Sequence, residues 1–186
     1  ELDEIIQSLA GLKIFPRKFL DEIASGDVVE IFNDSVGNIM QINPGMREGM
    51  LKYMIHIVGD LHCPGHIFFA DQSMQYNIKV GGKKIHFHNF LDKAYDHFHK
   101  GVAIADFYEQ NGRLNKAKQK RLCKGDIAQW VENNLPFYRE CYVYLPKEAE
   151  FNNLSEKEQL RLKEITDRLQ IEAGYRLAYL INRIFK

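Results

Sequence analysis

The C-terminal stretch of about thirty residues constrains the fold most. Ser155, with Glu158 three positions on, has the pattern of a capping box that opens a helix. Leu162, Ile165, Leu169, Ala173, Leu177, Leu180, Ile181 and Ile184 then recur at helical spacing. A helix that long with one apolar stripe needs other elements to cover it. It reads as a core helix of a helical fold rather than a cofactor-binding box.

The rest of the chain supports that class. Leu2, Ile5, Ile6 and Leu9 share a helical face, and Gly11 is a plausible stop. Further helices are expected over 16–26, opened by Pro16, and from Val28 to about Ile39. Asn43 and Pro44 read as the cap and first turn of a central helix. Residues 76–88 alternate apolar and polar across Gly81-Gly82, a hairpin signature. A helix is expected to resume near Asn89 and run through Asp92, Tyr95, Asp96 and Phe98. Residues 110–124 are basic and poor in large apolar groups, so they read as an exposed linker or loop-plus-turn. That stretch is either a solvated surface or a phosphate-gripping patch. Asp126 then opens an amphipathic helix carrying Ile127, Trp130, Val131 and Leu135, with a kink expected at Pro136. The expected fold class is mostly α, a single domain over residues 1–186 with one small β-hairpin.

Acids and bases balance to a formal charge of zero, which argues against a polybasic nucleic-acid binder overall. No apolar run approaches the ~20 residues of a membrane span. Cys63, Cys123 and Cys141 lack metal-type spacing and read as buried or free thiols, or as one disulfide plus a thiol.

The chemistry concentrates in residues 53–66. His56 and Asp60 are four apart on the expected central helix, so they share a face, with Ile55, Ile57, Val58 and Leu61 around them. An imidazole and a carboxylate in an apolar frame need a partner, and a divalent metal would serve both. Pro64 ends or kinks the helix and Gly65 lets His66 turn back toward the pair. Asp92 and Asp96 repeat the four-residue spacing. With His56, Asp60 and His66 they make two imidazoles and three carboxylates, a set suited to zinc or manganese. Hydrogen bonding without a metal would also satisfy such pairs. His62 is out of phase with His56 and reads as a structural or supporting residue. His86, His88, His97 and His99 read as surface histidines.

These motifs resemble a known family. His56-Ile57-Val58-Gly59-Asp60-Leu61-His62-Cys63-Pro64-Gly65-His66 is similar to the His-Phe-Ile-Gly-Asp-Ile-His-Gln-Pro-Leu-His motif of the trinuclear-zinc S1/P1 nucleases. Phe90-Leu91-Asp92-Lys93-Ala94-Tyr95-Asp96 resembles that family's Asn-Leu-His-x-x-Trp-Asp. Ala173-Gly174-Tyr175-Arg176-Leu177-Ala178 resembles its Ala-Gly-x-Arg-Leu-Ala, and Trp130 and Glu132 fall where it has a Trp-containing helix. In this reading Asp92 stands where the family has His, and Cys63 where it has Gln.

The resemblance implies a phospholipase C/P1 nuclease-like helical fold and a secreted or periplasmic enzyme. That enzyme would be a zinc-dependent phosphodiesterase cleaving single-stranded nucleic acid or nucleotide phosphoesters through metal-activated water. It implies one to three zinc ions. His56 and Asp60 would serve one, Asp60 would bridge to another at the catalytic centre, and His66, Asp92 and Asp96 would hold a third. The family's N-terminal Trp and early His, also zinc ligands, have no counterpart before His56, so either a segment carrying them is missing from this sequence or two of the three zinc sites lack ligands. The alternative is a catalytically inactive helical relative with one metal or none and a binding or structural role. A phospholipase C-like enzyme is a third reading.

Overall fold

The computed structural model describes residues 44–67, 69 and 76–184, so the three helices expected before residue 43 lie outside the described residues, as does Asn43. Within them are seven α-helices and one two-stranded antiparallel hairpin, the mostly helical class that the periodicities imply.

Helix α1 (Pro44–Asp60) begins at its proline. Met50, Met54, Ile57 and Val58 recur on one face and are buried. They pack with Ile127, Trp130, Leu180 and Ile184 into one of two apolar clusters. Full burial of side chains of this size contributes about 1.5–3 kcal/mol each. The opposite face stays open. Ile55 is 45% exposed, and the His56 side chain is 54% exposed. His56 and Asp60 therefore sit on the rim of the core, not inside an apolar frame.

A 3-10 turn, Pro64–His66, follows α1. The hairpin comprises β1 (Asn77–Val80) and β2 (Lys83–His86), with Ile78 opposite Ile85. Gly81 and Gly82 have φ of +59° and +76°, the left-handed pair that a tight two-residue turn requires. Glu150 fastens that turn, its carboxylate accepting from both glycine N–H groups at 2.9 Å.

Helix α2 (Phe87–Asp92) starts two residues before the expected Asn89, immediately at the end of β2. Lys93, at φ −98° and ψ 16°, separates it from α3 (Ala94–Phe98). The single helix expected to carry both Asp92 and Asp96 is thus two short ones.

Helix α4 (Ile104–Phe107) leads into a π turn, Tyr108–Gly112. The basic stretch contains a helix where a loop was expected, α5 (Lys116–Leu122), because the Asn115 side chain caps it by accepting from Lys118 N at 2.9 Å. Helix α6 (Ile127–Tyr144), capped by Asp126, contains Pro136 without ending there.

Helix α7 (Glu156–Ile184) spans 29 residues. Its capping box is formed: Ser155 N donates to Glu158 Oε2 at 2.8 Å and Glu158 N donates to Ser155 Oγ at 3.3 Å. Leu162, Ile165 and Leu169 join Tyr138, Cys141 and Tyr142 of α6 and Phe87, Phe90 and Leu91 of α2 in the second cluster. All three cysteines are free thiols. No helix among the described residues is long and apolar enough to cross a membrane.

Candidate metal centre

Three segments deliver the candidate ligating groups. The last turn of α1 carries His56 and Asp60, the 3-10 turn carries Cys63 and His66, and α2 carries His88 and Asp92. Gly65 permits the approach of the turn to α2. A Cβ there would lie 3.0 Å from His88 Cα and 3.2 Å from its carbonyl oxygen, both backbone atoms that cannot swing away.

The side chains then converge. His56 Nε2 lies 3.2 Å from Asp60 Oδ2 and His66 Nε2 lies 3.7 Å from Asp60 Oδ1. His66 Nε2 is 3.1 Å from Asp92 Oδ1, and His88 Nε2 is 3.0 Å from Asp92 Oδ2. The two ring nitrogens, His66 Nε2 and His88 Nε2, are only 2.9 Å apart. Cys63 Sγ donates to Asp92 Oδ1 at 3.2 Å.

This donor set fits a cation. His66 Nε2 faces a ring nitrogen and two carboxylates, and the one proton it can carry cannot serve them all. A divalent ion would accept every lone pair at once, and imidazole with carboxylate suits zinc. Burial pushes the Asp60 carboxyl above its ordinary range, and the nearby Asp92 charge adds to this against the pull of His66 and His56. Burial raises Asp92 too, but hydrogen bonds from His66 and Cys63 outweigh it and leave Asp92 below its ordinary value. Burial, with Asp92 beside it, pushes the Cys63 thiol up, so it remains a donor. Cys63, His66 and Asp92 offer ligand atoms all within 4.8 Å of one another.

Of the residues singled out in the sequence, His56, Asp60, His66 and Asp92 come together. Asp96 does not join them. It sits on α3, exposed, lining a neighbouring cavity of about 640 Å³ that it shares with Asp92. A smaller hollow of about 290 Å³ lies between Asp60, Asp92 and the α7 residues Thr166 and Gln170.

His88 is the residue that sequence reasoning passed over. It precedes Asp92 by four positions, the same spacing as His56 to Asp60. Placing it on a strand beside His86 hid that relation. His62 is structural: it is 4% exposed and tied to Val58 and Arg176. His99 pairs with Asp167 at 2.6 Å, and His97 packs edge-on against Phe151.

The family model described as S1/P1 Nuclease matches residues 20–186. No curated protein and no solved structure matches the chain. The match spans all three segments that build the ligand cluster, and the chain belongs to the S1/P1 nuclease family, a family of zinc-dependent nucleases.

Proposed function

We propose that this protein is a zinc-dependent phosphodiesterase acting on single-stranded nucleic acid or nucleotide phosphoesters. The observation that carries the reading is the convergence of His56, Asp60, His66, His88 and Asp92 on one another, with Asp60 and Asp92 bordering an open hollow. The spacing also supports a changed register. The family motif Asn-Leu-His-x-x-Trp-Asp separates its His and Asp by four positions, and His88-Asn89-Phe90-Leu91-Asp92 has that spacing. In this register Asp92 answers to the family's Asp, His88 supplies the imidazole, and Asp96 is free for another role.

Zinc held by these five residues would supply charge neutralisation for the phosphoryl oxygens and an acidified water as nucleophile. The protein's own part is positional. Asp60 lies between His56 and His66 and is the group best placed to serve two ions. Asp92 is held by His66, His88 and Cys63 together, so its two oxygens point in fixed directions. The inactive-relative reading is less favoured, because burial and the Asp92 charge make an ionised Asp60 costly when no cation is bound.

The test is elemental analysis of protein purified without chelator, followed by hydrolysis of single-stranded DNA with zinc present. One to three zinc ions per chain and chelator-sensitive cleavage are expected. Failure to take up zinc on addition would overturn the reading.

A further inference from the structure

The cavity of about 640 Å³ opens beside the ligand cluster, with Asp92 on its wall, and is within the size range of sites that bury small organic groups. Tyr95, Phe107, Tyr108 and Tyr175 line it, and Ile104 on its rim is 73% exposed. Tyr175 on its wall also ties the cavity to the segment that leads into the basic helix. Tyr108 and Tyr175 share a hydroxyl contact of 3.0 Å, and Leu114 N, just before α5, donates to Tyr175 Oη at 2.9 Å.

Between Arg113 and Lys124 the chain places six cations, Arg113, Lys116, Lys118, Lys120, Arg121 and Lys124, and no acid. All six are exposed, in a protein whose total charge is zero. A concentration of one sign next to an aromatic cavity is the combination that tracks a single strand, with rings for the bases and cations for the phosphates. A membrane surface fits less well, since α5 carries only Ala117 and the half-buried Leu122 as apolar residues and so lacks an inserting face.

We infer that the cavity and α5 form one binding surface for single-stranded nucleic acid, bases stacking against Tyr108 and Tyr175 while the backbone runs along the lysines of α5. The inference rests on the phosphodiesterase reading in placing the scissile phosphate at the Asp92 end. The surface explains how a neutral protein could hold a polyanion longer than the nucleotide being cut.

The test uses zinc-loaded full chain and a fluorescein-labelled phosphorothioate 12-mer, with binding followed by anisotropy over a salt series. Combined Lys116→Gln, Lys118→Gln and Lys120→Gln should weaken binding about tenfold or more at low salt and shallow the log–log salt slope by about 2. A charge-matched set, Lys83→Gln, Lys147→Gln and Lys157→Gln, should leave both nearly unchanged. Tyr108→Leu should weaken binding with the slope retained. Equal affinity and slope in the α5 variant and the wild type would overturn the inference. So would phosphatidylserine-vesicle binding that falls in this variant while the oligonucleotide does not bind. Cleavage of the ordinary phosphodiester 12-mer by wild type, run in parallel, tests the activity reading alone. Binding that weakens in the α5 variant without wild-type cleavage would sink the phosphodiesterase and leave the surface standing.

Discussion

Arg176 Nη1 on α7 lies 2.7 Å from His62 Nε2, joining residues 114 positions apart just behind the ligand cluster. A guanidinium only donates, so Nε2 accepts, and the Nδ1 proton goes to Val58 O at 2.7 Å. Arg176 also reaches Leu122 O at 3.3 Å and lies over the Trp130 ring at 5.3 Å. Glu172 Oε2 stands 3.1 Å from Arg176 Nη1, an ion-pair distance without hydrogen-bond geometry. Arg168 Nε holds the other oxygen at 2.8 Å. The turn that presents Cys63 and His66 is thereby pinned to α7.

Removing Arg176 should therefore cost more than an ordinary core truncation. Arg176→Met leaves buried His62 without its donor and Glu172 with Arg168 alone, and a broken buried pair costs about 3–5 kcal/mol. Adding Glu172→Gln should recover part of that loss. Urea unfolding of the single and double variants measures it, and a loss under 1 kcal/mol in Arg176→Met would contradict the pinning role.

His62 also predicts an acid dependence. Burial pulls it from its ordinary 6.5 to about 4, against the Val58 hydrogen bond and with Arg176 adding to the drop. Between those values the unfolded chain takes up a proton that the folded one does not. This contribution to stability is full above pH 6.5 and is lost as pH falls toward 4, amounting to about 3 kcal/mol. Unfolding of wild type and His62→Gln at pH 7 and pH 4.5 checks it. The wild type should lose more on acidification than the variant, and equal losses would refute the assignment.

The features legible in the sequence were those set by neighbouring residues. The Ser155–Glu158 box, the Gly81-Gly82 turn and the Pro44 start depend on a few adjacent positions, and each is present. The start of α2 was misplaced because His86 caps it with no side-chain hydrogen bond, so nothing in the sequence marks it. Phe87 and His88 simply extend the alternation of β2. Nothing in the sequence around Glu172 and Arg176 marks them as buried. Their burial is decided by His62 and Trp130, which only the tertiary fold brings near. The helical face of α5 was masked by lysines, although Asn115 was a cap in plain sight.

His88 and Asp96 give opposite expectations for metal content. His88→Ala removes an imidazole 2.9 Å from His66 Nε2 and 3.0 Å from Asp92 Oδ2. It should lower zinc per chain or weaken affinity by about tenfold or more, the effect that even a supporting partner of a metal site has when it is removed. Asp96→Asn alters a residue on a different helix and should retain the wild-type zinc content. Elemental analysis of both variants after identical dialysis decides. Zinc retained in His88→Ala but lost in Asp96→Asn would reverse the register proposed for this motif.

Gly65→Ala tests whether the close approach of the turn to α2 sets the geometry of the centre. The added methyl group would meet His88 Cα at 3.0 Å and its carbonyl oxygen at 3.2 Å, so the two segments must part by a few tenths of an ångström. Overpacking of this kind costs about 1–3 kcal/mol. The same displacement would move His66 away from His88 and Asp92, whose separations of 2.9 Å and 3.1 Å leave little slack. Zinc affinity should fall although no ligand has been changed. Gly59→Ala is the control, because a Cβ there meets nothing within 4 Å and an alanine suits a helix interior better. Competition titration with a chromogenic chelator, run beside thermal unfolding, separates the two effects. Gly65→Ala with lowered stability and lowered zinc affinity, against an unaffected Gly59→Ala, is the expected pair. Wild-type zinc affinity in Gly65→Ala would mean that the turn positions His66 independently of its contact with α2.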